Sequence, residues 1–398
     1  MNRLARTTFY GSVAAAALFM ATGQSFAIEP GDFNATLAAA TAGIPLGAAP
    51  PPGLYGSLQT FIGGPNATGT GQNSAALGAG PYNKGLSVTG EAIVPALVFV
   101  PGWNFFGGSA VFAVIQPLFT VNGSSTNCVP TTVGVPPQAG CIATEPITFG
   151  SGAGAFFENM HNTIWSSTLS WNWKNGWFTS LGFNFQGPDG SQYNGTLNQD
   201  YWTFSPTAAL SYIDKTWKAS ANLDFDVHTA SAGHTGTYAA VQANVASVAL
   251  PPAILVTSPS GCVGFNCPGI GYHSGDQLFI DWSVEYRWGK LAFGPAGDFK
   301  YQTSSDTPGQ GWTCAGLKAS PVYGSSGLVC GSAMDVSLGG IVGYDFGPAE
   351  LEFYAVDSVA NEDDFRGWKI FTRLSFKLDN PAPAAAAPAA APMVGKAH

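Results

Sequence analysis

The feature that most restricts this chain is an alternation of period two, repeated through most of its length. In 276–288, Leu278, Ile280, Trp282, Val284, Tyr286 and Trp288 fall on one face, opposed by Gln277, Phe279, Asp281, Ser283, Glu285 and Arg287. In 217–228, Trp217, Ala219, Ala221, Leu223, Phe225 and Val227 oppose Lys218, Ser220, Asn222, Asp224, Asp226 and His228. The segments 163–173, 177–186 and 368–378 repeat the pattern. Successive side chains of a strand point to opposite faces, so each segment reads as a strand with one apolar and one polar environment. Strands are expected at 53–64, 86–101, 107–123, 159–174, 177–187, 200–214, 217–230, 276–289, 291–304, 333–346, 349–360 and 367–378. Pro95 and Pro117 predict kinks or bulges, because a central strand tolerates Pro poorly.

A water-soluble sandwich would alternate too, and three observations favour a membrane. Only 10% of residues are charged, against roughly a quarter in an average soluble domain. Aromatics make up 13% of the chain, and Trp and Tyr recur at the ends of the apolar faces, as an interfacial girdle requires. The connections alternate in length, with tight turns at 102–106, 175–176, 215–216, 290 and 347–348. Long loops are expected at 65–85, 124–158, 188–199, 231–275 and 305–332, and the short connection 361–366 falls on their side. Beyond the N-terminus no stretch offers the roughly 20 apolar residues of a spanning helix. The fold expected is all-β, a transmembrane antiparallel up-and-down β-barrel of about 12 strands with long extracellular loops. A compact cytosolic enzyme is the class least compatible with these features.

Residues 1–27 read as a secretory signal, with Arg3 and Arg6, an apolar core from Val13 to Met20, and a Ser25-Phe26-Ala27 cleavage site. Without Arg3 and Arg6 the count is 13 basic against 24 acidic residues, a net charge of −11, which argues against nucleic-acid partners. Residues 28–52, rich in Ala, Gly and Pro, are expected as an irregular lead-in. The barrel is expected over 53–378, and the Ala/Pro-rich 379–398 as an extended tail. No segment reads as a large N-terminal plug domain. The six cysteines, Cys128 and Cys141, Cys262 and Cys267, Cys314 and Cys330, fall as pairs within single long loops, and an oxidising periplasm makes three local disulfides the expectation.

Several short motifs occur in a telling order: Glu29-Pro30-Gly31-Asp32, Val100-Pro101-Gly102-Trp103, Tyr201-Trp202-Thr203-Phe204, Ser274-Gly275-Asp276-Gln277-Leu278 and Gly343-Tyr344-Asp345-Phe346-Gly347. Together they resemble the outer-membrane family named for the MetA pathway of phenol degradation, over most of 29–378. The resemblance implies transport of aromatic or other hydrophobic small molecules across the outer membrane of a Gram-negative cell, with outer-membrane lipid as the surroundings.

An Arg or Lys facing lipid at mid-bilayer costs roughly 2–4 kcal/mol, so the charged parity should face the lumen. Asp224, Asp226, His228, Asp281, Glu285, Asp298, Lys300 and Arg373 are the principal charged and polar candidates for a solute path, with Lys218, Arg287, Glu350, Glu352 and Lys377 on the same parity. Two readings stand beside each other, a polar path and a cross-strand ion-pair network that fills a narrow barrel. Tyr55, Phe61, Phe178, Tyr201, Phe279, Tyr354 and Phe371 share that parity, either lining a path for flat apolar solutes or packing a plugged lumen. The apolar run Val245 to Val256 within 231–275 is either an inward lid or a strand extension.

Catalysis has little support. His161, His228, His234, His273 and His398 show no metal-ligand spacing, and nothing nominates a nucleophile for His228 and Asp226. Neither a cofactor nor a metal is expected. The reading is a porin-like passive conduit for small hydrophobic or aromatic compounds. The alternative is a non-transporting barrel whose loops serve surface structure or adhesion.

Overall fold

The computed structural model describes residues 36–72, 81–129, 143–150, 160–190, 201–230, 273–309, 313–315, 333–362, 364 and 366–378, with side chains left out at 65–88 and 120–150. The signal, the run Val245 to Val256 and the tail lie outside the described residues, as do Cys141, Cys262, Cys267 and Cys330. The strands are β1 (Gly53–Gln72), β2 (Pro81–Val100), β3 (Asn104–Phe105), β4 (Gly108–Ile115), β5 (Leu118–Val129), β6 (Ala143–Gly150), β7 (Ile164–Asn172) and β8 (Trp177–Gln186). They continue as β9 (Thr203–Ile213), β10 (Trp217–His228), β11 (Gln277–Trp288), β12 (Leu291–Gln302), β13 (Met334–Asp345), β14 (Ala349–Glu362) and β15 (Arg366–Lys377).

Each strand from β7 to β15 pairs antiparallel with the next, and β15 pairs with β1 to close the cylinder. Both β4 and β5 pair with β2, so together they form one wall strand, and the wall has 12 strands. Closure of this kind satisfies the backbone groups of the strands within the wall, as lipid demands of a sheet that crosses it.

The wall is broken at one place. The expected strand 107–123 divides at Gln116-Pro117, as a Pro without an N–H requires. Below the break β4 pairs with β7 from Ser109↔Ser170 to Ile115↔Ile164. Above it, a single bridge, Leu118↔Met160, joins the β5 side to the run entering β7 among the described residues. The Gln116 side chain stitches this seam, donating from Nε2 to His161 O at 2.7 Å and accepting at Oε1 from Thr163 Oγ1 at 2.8 Å.

Two loop expectations are corrected. Residues 65–85 are mainly paired strand, since β1 and β2 continue together to Gln72↔Pro81. Within 124–158, β5 runs on to Val129 and pairs with β6. Beyond the lipid no apolar face is needed, so backbone pairing continues where the sequence alternation that marked it has ended. The tight turns fall where expected. At 173–176, Lys174, Asn175 and Gly176 all take positive φ (69°, 51° and 83°), and Asn172 Oδ1 accepts from Lys174 N at 2.9 Å.

The outer surface is coloured for lipid. Leu181, Leu210 and Leu223 are exposed at mid-wall, and a shallow hollow there is lined by Trp171, Leu181, Leu210, Leu223 and Ile280. Trp103, Trp173, Trp177, Trp217, Trp288 and Tyr344 ring the short-turn end, while Trp165, Phe185, Trp202, Phe204 and Trp368 ring the other. From Trp177 to Phe185 along β8 is roughly 20 Å of height at a strand rise of about 3.4 Å and a tilt near 40°, close to the apolar band of such barrels.

Candidate functional site: a lumen closed by its own N-terminal segment

The lumen is not empty. Residues 36–52, a series of turns with no strand pairing, run through its interior and emerge at Pro51 and Pro52 on the short-turn side. Ala39 and Ala42 are completely buried there and pack with Phe61, Ile341, Tyr354 and Phe371. At Gly43 no side chain fits. A Cβ on Gly43, whose φ is +83°, would lie 2.4 Å from Ile341 Cδ1. A segment without secondary structure leaves its backbone groups unpaired, and burying them unpaired would be costly. The wall supplies the partners.

Asp281 on β11 does most of this. Its Oδ1 accepts from Ala39 N at 2.8 Å, and its Oδ2 accepts from Thr41 N and Thr41 Oγ1, each at 2.8 Å. From the opposite wall Arg373 donates to Ala42 O at 2.7 Å and to Ala40 O at 3.3 Å, and Tyr354 Oη also donates to Ala40 O, at 3.2 Å. Asn222 Nδ2 donates to Thr41 O and Ile44 O, both at 2.9 Å. Lower down, Ser211 Oγ accepts from Gly47 N, and Ser170 Oγ accepts from Ala49 N while donating to Gly47 O. At the long-loop end Thr36 Oγ1 donates to Asp226 Oδ1 at 3.2 Å.

Behind these contacts the charged side chains hold one another. Lys218 reaches Glu352 at 2.7 Å, Glu350 at 3.1 Å and Glu285 at 3.2 Å, and Glu352 also bonds Arg373. Lys369 bridges Asp298 at 2.8 Å and Asp335 at 3.2 Å, and Lys300 pairs with Asp364 at 2.7 Å. Lys218, Glu285, Glu352, Asp298, Asp335, Lys300 and Arg373 are buried, so the pairing keeps their charges compensated and fixes the side chains that grip the N-terminal segment. At the short-turn mouth the Asp214 carboxylate accepts from Tyr212 Oη and from Thr216 N and Trp217 N, which holds it below the usual carboxylate range.

The sequence parity places Asp224, Asp226, His228, Asp281, Glu285, Asp298, Lys300 and Arg373 inside the barrel, Asp224 half-buried and the rest buried. The aromatic candidates divide. Phe61, Tyr354 and Phe371 form a stack, with Tyr354–Phe371 at 4.6 Å and Phe61–Phe371 at 5.1 Å, packed on the N-terminal segment instead of lining open space. Phe279 is buried on the same side of the wall, while Phe178 is half-buried near Gly47. Tyr55 clips the mouth, its hydroxyl donating to Pro51 O at 2.6 Å beneath the Lys377 ammonium. Tyr201 lies edge-on to His228 at 5.2 Å at the far end, where Thr203 Oγ1 meets His228 Nδ1 at 3.0 Å.

Three of the short motifs are architectural, and Glu29-Pro30-Gly31-Asp32 lies outside the described residues. Gly275 lies so close to the next strand that a Cβ would come within 1.8 Å of Ser304 O, and its N–H donates to Asp306 Oδ1 at 2.7 Å. Asp276 N donates to Ser304 Oγ, and Gln302 Nε2 ties Ser304 O and Asp306 together. This knot fixes the rim between β11 and β12. Gly102 and Gly347, with φ of +79° and +98°, allow two of the tight turns.

A closed antiparallel cylinder with aromatic girdles, an apolar belt and a polar interior defines a transmembrane β-barrel of the outer-membrane type. Within that class, the chain belongs to the family described as putative MetA-pathway of phenol degradation, whose model matches residues 63–374. Its fold is similar to that of the COG4313 outer membrane channel from Pseudomonas putida F1, with a TM-score of 0.52 at 8% identity over 83% of this chain and 96% of that one. A Pseudomonas aeruginosa FadL homologue is similar at a TM-score of 0.34 and 9% identity, over 82% of this chain and 90% of that one. No curated protein matches the sequence.

Proposed function

We propose that the chain is an outer-membrane channel for passive entry of small hydrophobic or aromatic compounds, exported through residues 1–27 and without catalytic activity. The observation that carries the reading is a filled axis beside a seam where the wall ladder changes partners. Residues 36–52 run through the lumen and are bonded on several sides, whereas among the described residues the wall ladder between β5 and β7 is reduced to one bridge above Gln116-Pro117. An apolar solute entering from the long-loop side gains nothing from a lumen of buried ions. It gains by leaving through the seam into the surrounding hydrocarbon, since transfer out of water favours apolar surface. Phe119, buried beside His161 with ring centroids 5.4 Å apart, lies at that seam and offers it an aromatic surface. Outside the lipid, the cysteine pairs Cys128–Cys141, Cys262–Cys267 and Cys314–Cys330 are proposed as loop disulfides, to be read by peptide mapping without reductant.

The test is the initial uptake rate of a labelled aromatic hydrocarbon, at limiting concentration, in Gram-negative cells carrying or lacking the chain. A faster rate with the chain supports the channel. Equal rates refute it and favour a barrel with a purely structural surface role.

A further inference from the structure

At the long-loop end of the lumen stands an arrangement that gripping residues 36–52 does not explain. Asp224 and Asp226 project inward from β10, and Gln277 on β11 lies directly opposite Asp226. One oxygen of each carboxylate is occupied by protein donors. Asp226 Oδ1 accepts from Ser205 Oγ at 2.6 Å and from Thr36 Oγ1 at 3.2 Å, and Asp224 Oδ2 accepts from Asn184 Nδ2 at 3.0 Å. The other oxygens, Asp224 Oδ1 and Asp226 Oδ2, meet no donor, and neither does Gln277 Oε1. Asp226 and Gln277 are 0% and 1% exposed, so bulk water does not serve them. The two carboxyl groups stand at i and i+2 on the same inner face of β10.

Two neighbouring carboxylates with unpartnered buried oxygens are relieved by a positive species between them. A single shared proton satisfies two oxygens and leaves the third, on Gln277, bare. A metal ion serves all three at once, and a set made only of oxygens selects a hard cation. We propose that Asp224, Asp226 and Gln277 bind a cation of the calcium class beside Thr36. The ion would tie β10 to β11 and neutralise the carboxylate that receives the start of the lumen segment. An oxygen-only set spread over two strands leaves no local spacing in the sequence to mark it. This site stands apart from the solute-path reading, and either can fail without the other.

The test uses the full mature chain refolded in detergent free of lipopolysaccharide and stripped with chelator. Calcium chloride is titrated by calorimetry, and melting is followed by heat-modifiable gel mobility with and without calcium. One Ca²⁺ per chain is expected, with a higher melting temperature in calcium. Asp226→Asn should weaken binding at least about tenfold, since affinity follows ligand charge. Gln277→Glu adds a charged ligand, so it should tighten binding and raise the melting temperature further in calcium. The inference is overturned by an absence of calcium heat in the folded wild-type chain. It is equally overturned if Gln277→Glu lowers the melting temperature alike with calcium and with chelator, as a shared proton or a donating Gln277 amide would require.

Discussion

Replacing Asp281 by Ala should loosen the N-terminal segment from the lumen. The carboxylate accepts three hydrogen bonds from that segment, two of them from the backbone N–H groups of Ala39 and Thr41. The Thr41 hydroxyl keeps the bond it accepts from Asn222 Nδ2 at 3.3 Å, but both backbone N–H groups lose the carboxylate they point at. Each buried N–H left unpaired costs about 1–3 kcal/mol, so the docked segment should lose about 2–6 kcal/mol. At 1.4 kcal/mol per decade, the ratio of docked to undocked segment falls roughly 30-fold to 10⁴-fold. The assay is single-channel conductance in a planar bilayer. The wild-type chain should show near-baseline current, and Asp281→Ala should show discrete openings. Adding Ala49→Cys with Ser170→Cys, positions joined by the 3.0 Å bond from Ala49 N to Ser170 Oγ, should silence those openings once the disulfide forms. Openings that persist with the cross-link formed, or wild-type quiet in a folded Asp281→Ala chain, would refute the idea that residues 36–52 seal the axis.

Three further outcomes follow from individual contacts. Arg373→Met leaves Glu352 with Lys218 as its remaining cation and frees the carbonyls of Ala40 and Ala42, so heat-modifiable mobility should show a stability loss of roughly 3 kcal/mol. Gly275→Ala drives a Cβ into Ser304 O, and the rim between β11 and β12 should become open to proteases while the rest of the barrel stays resistant. The depressed Asp214 carboxyl stabilises its turn fully above the unfolded pKa of about 3.9, and that stabilisation is lost as pH falls through the lower folded value. The melting temperatures of wild type and Asp214→Ala should therefore differ at neutral pH and converge only in acid.

How much of this was legible in the sequence depends on where each residue lies relative to lipid. Strands such as 217–228 and 276–288 were readable almost to the residue, because hydrocarbon on one side and a polar lumen on the other impose a strict alternation. Pro117 announced the break in the wall, though not that Gln116 would stitch it or that β7 would diverge there. Past the membrane edge the alternation fades, so the paired extension to Gln72↔Pro81 looked like loop. Residues 36–52 were unreadable for a different reason. Their contribution is made by backbone groups bonded to Asp281, Asn222 and Arg373, and a run of Ala, Gly and Pro carries no periodicity to show it. The inward parity of Tyr354 and Phe371 was visible, but the rings' partner was the chain's own Ala39 and Ala42.

The route through the wall is tested most directly by closing the seam. Leu118 and Met160 face each other across its single bridge, a spacing compatible with a disulfide, so Leu118→Cys with Met160→Cys can lock β5 to the run entering β7. The initial uptake rate of a labelled aromatic hydrocarbon should then fall to that of cells without the chain while the cross-link is intact. An unchanged rate in cells whose protein is fully cross-linked would contradict the account, because the solute would be crossing somewhere other than the seam.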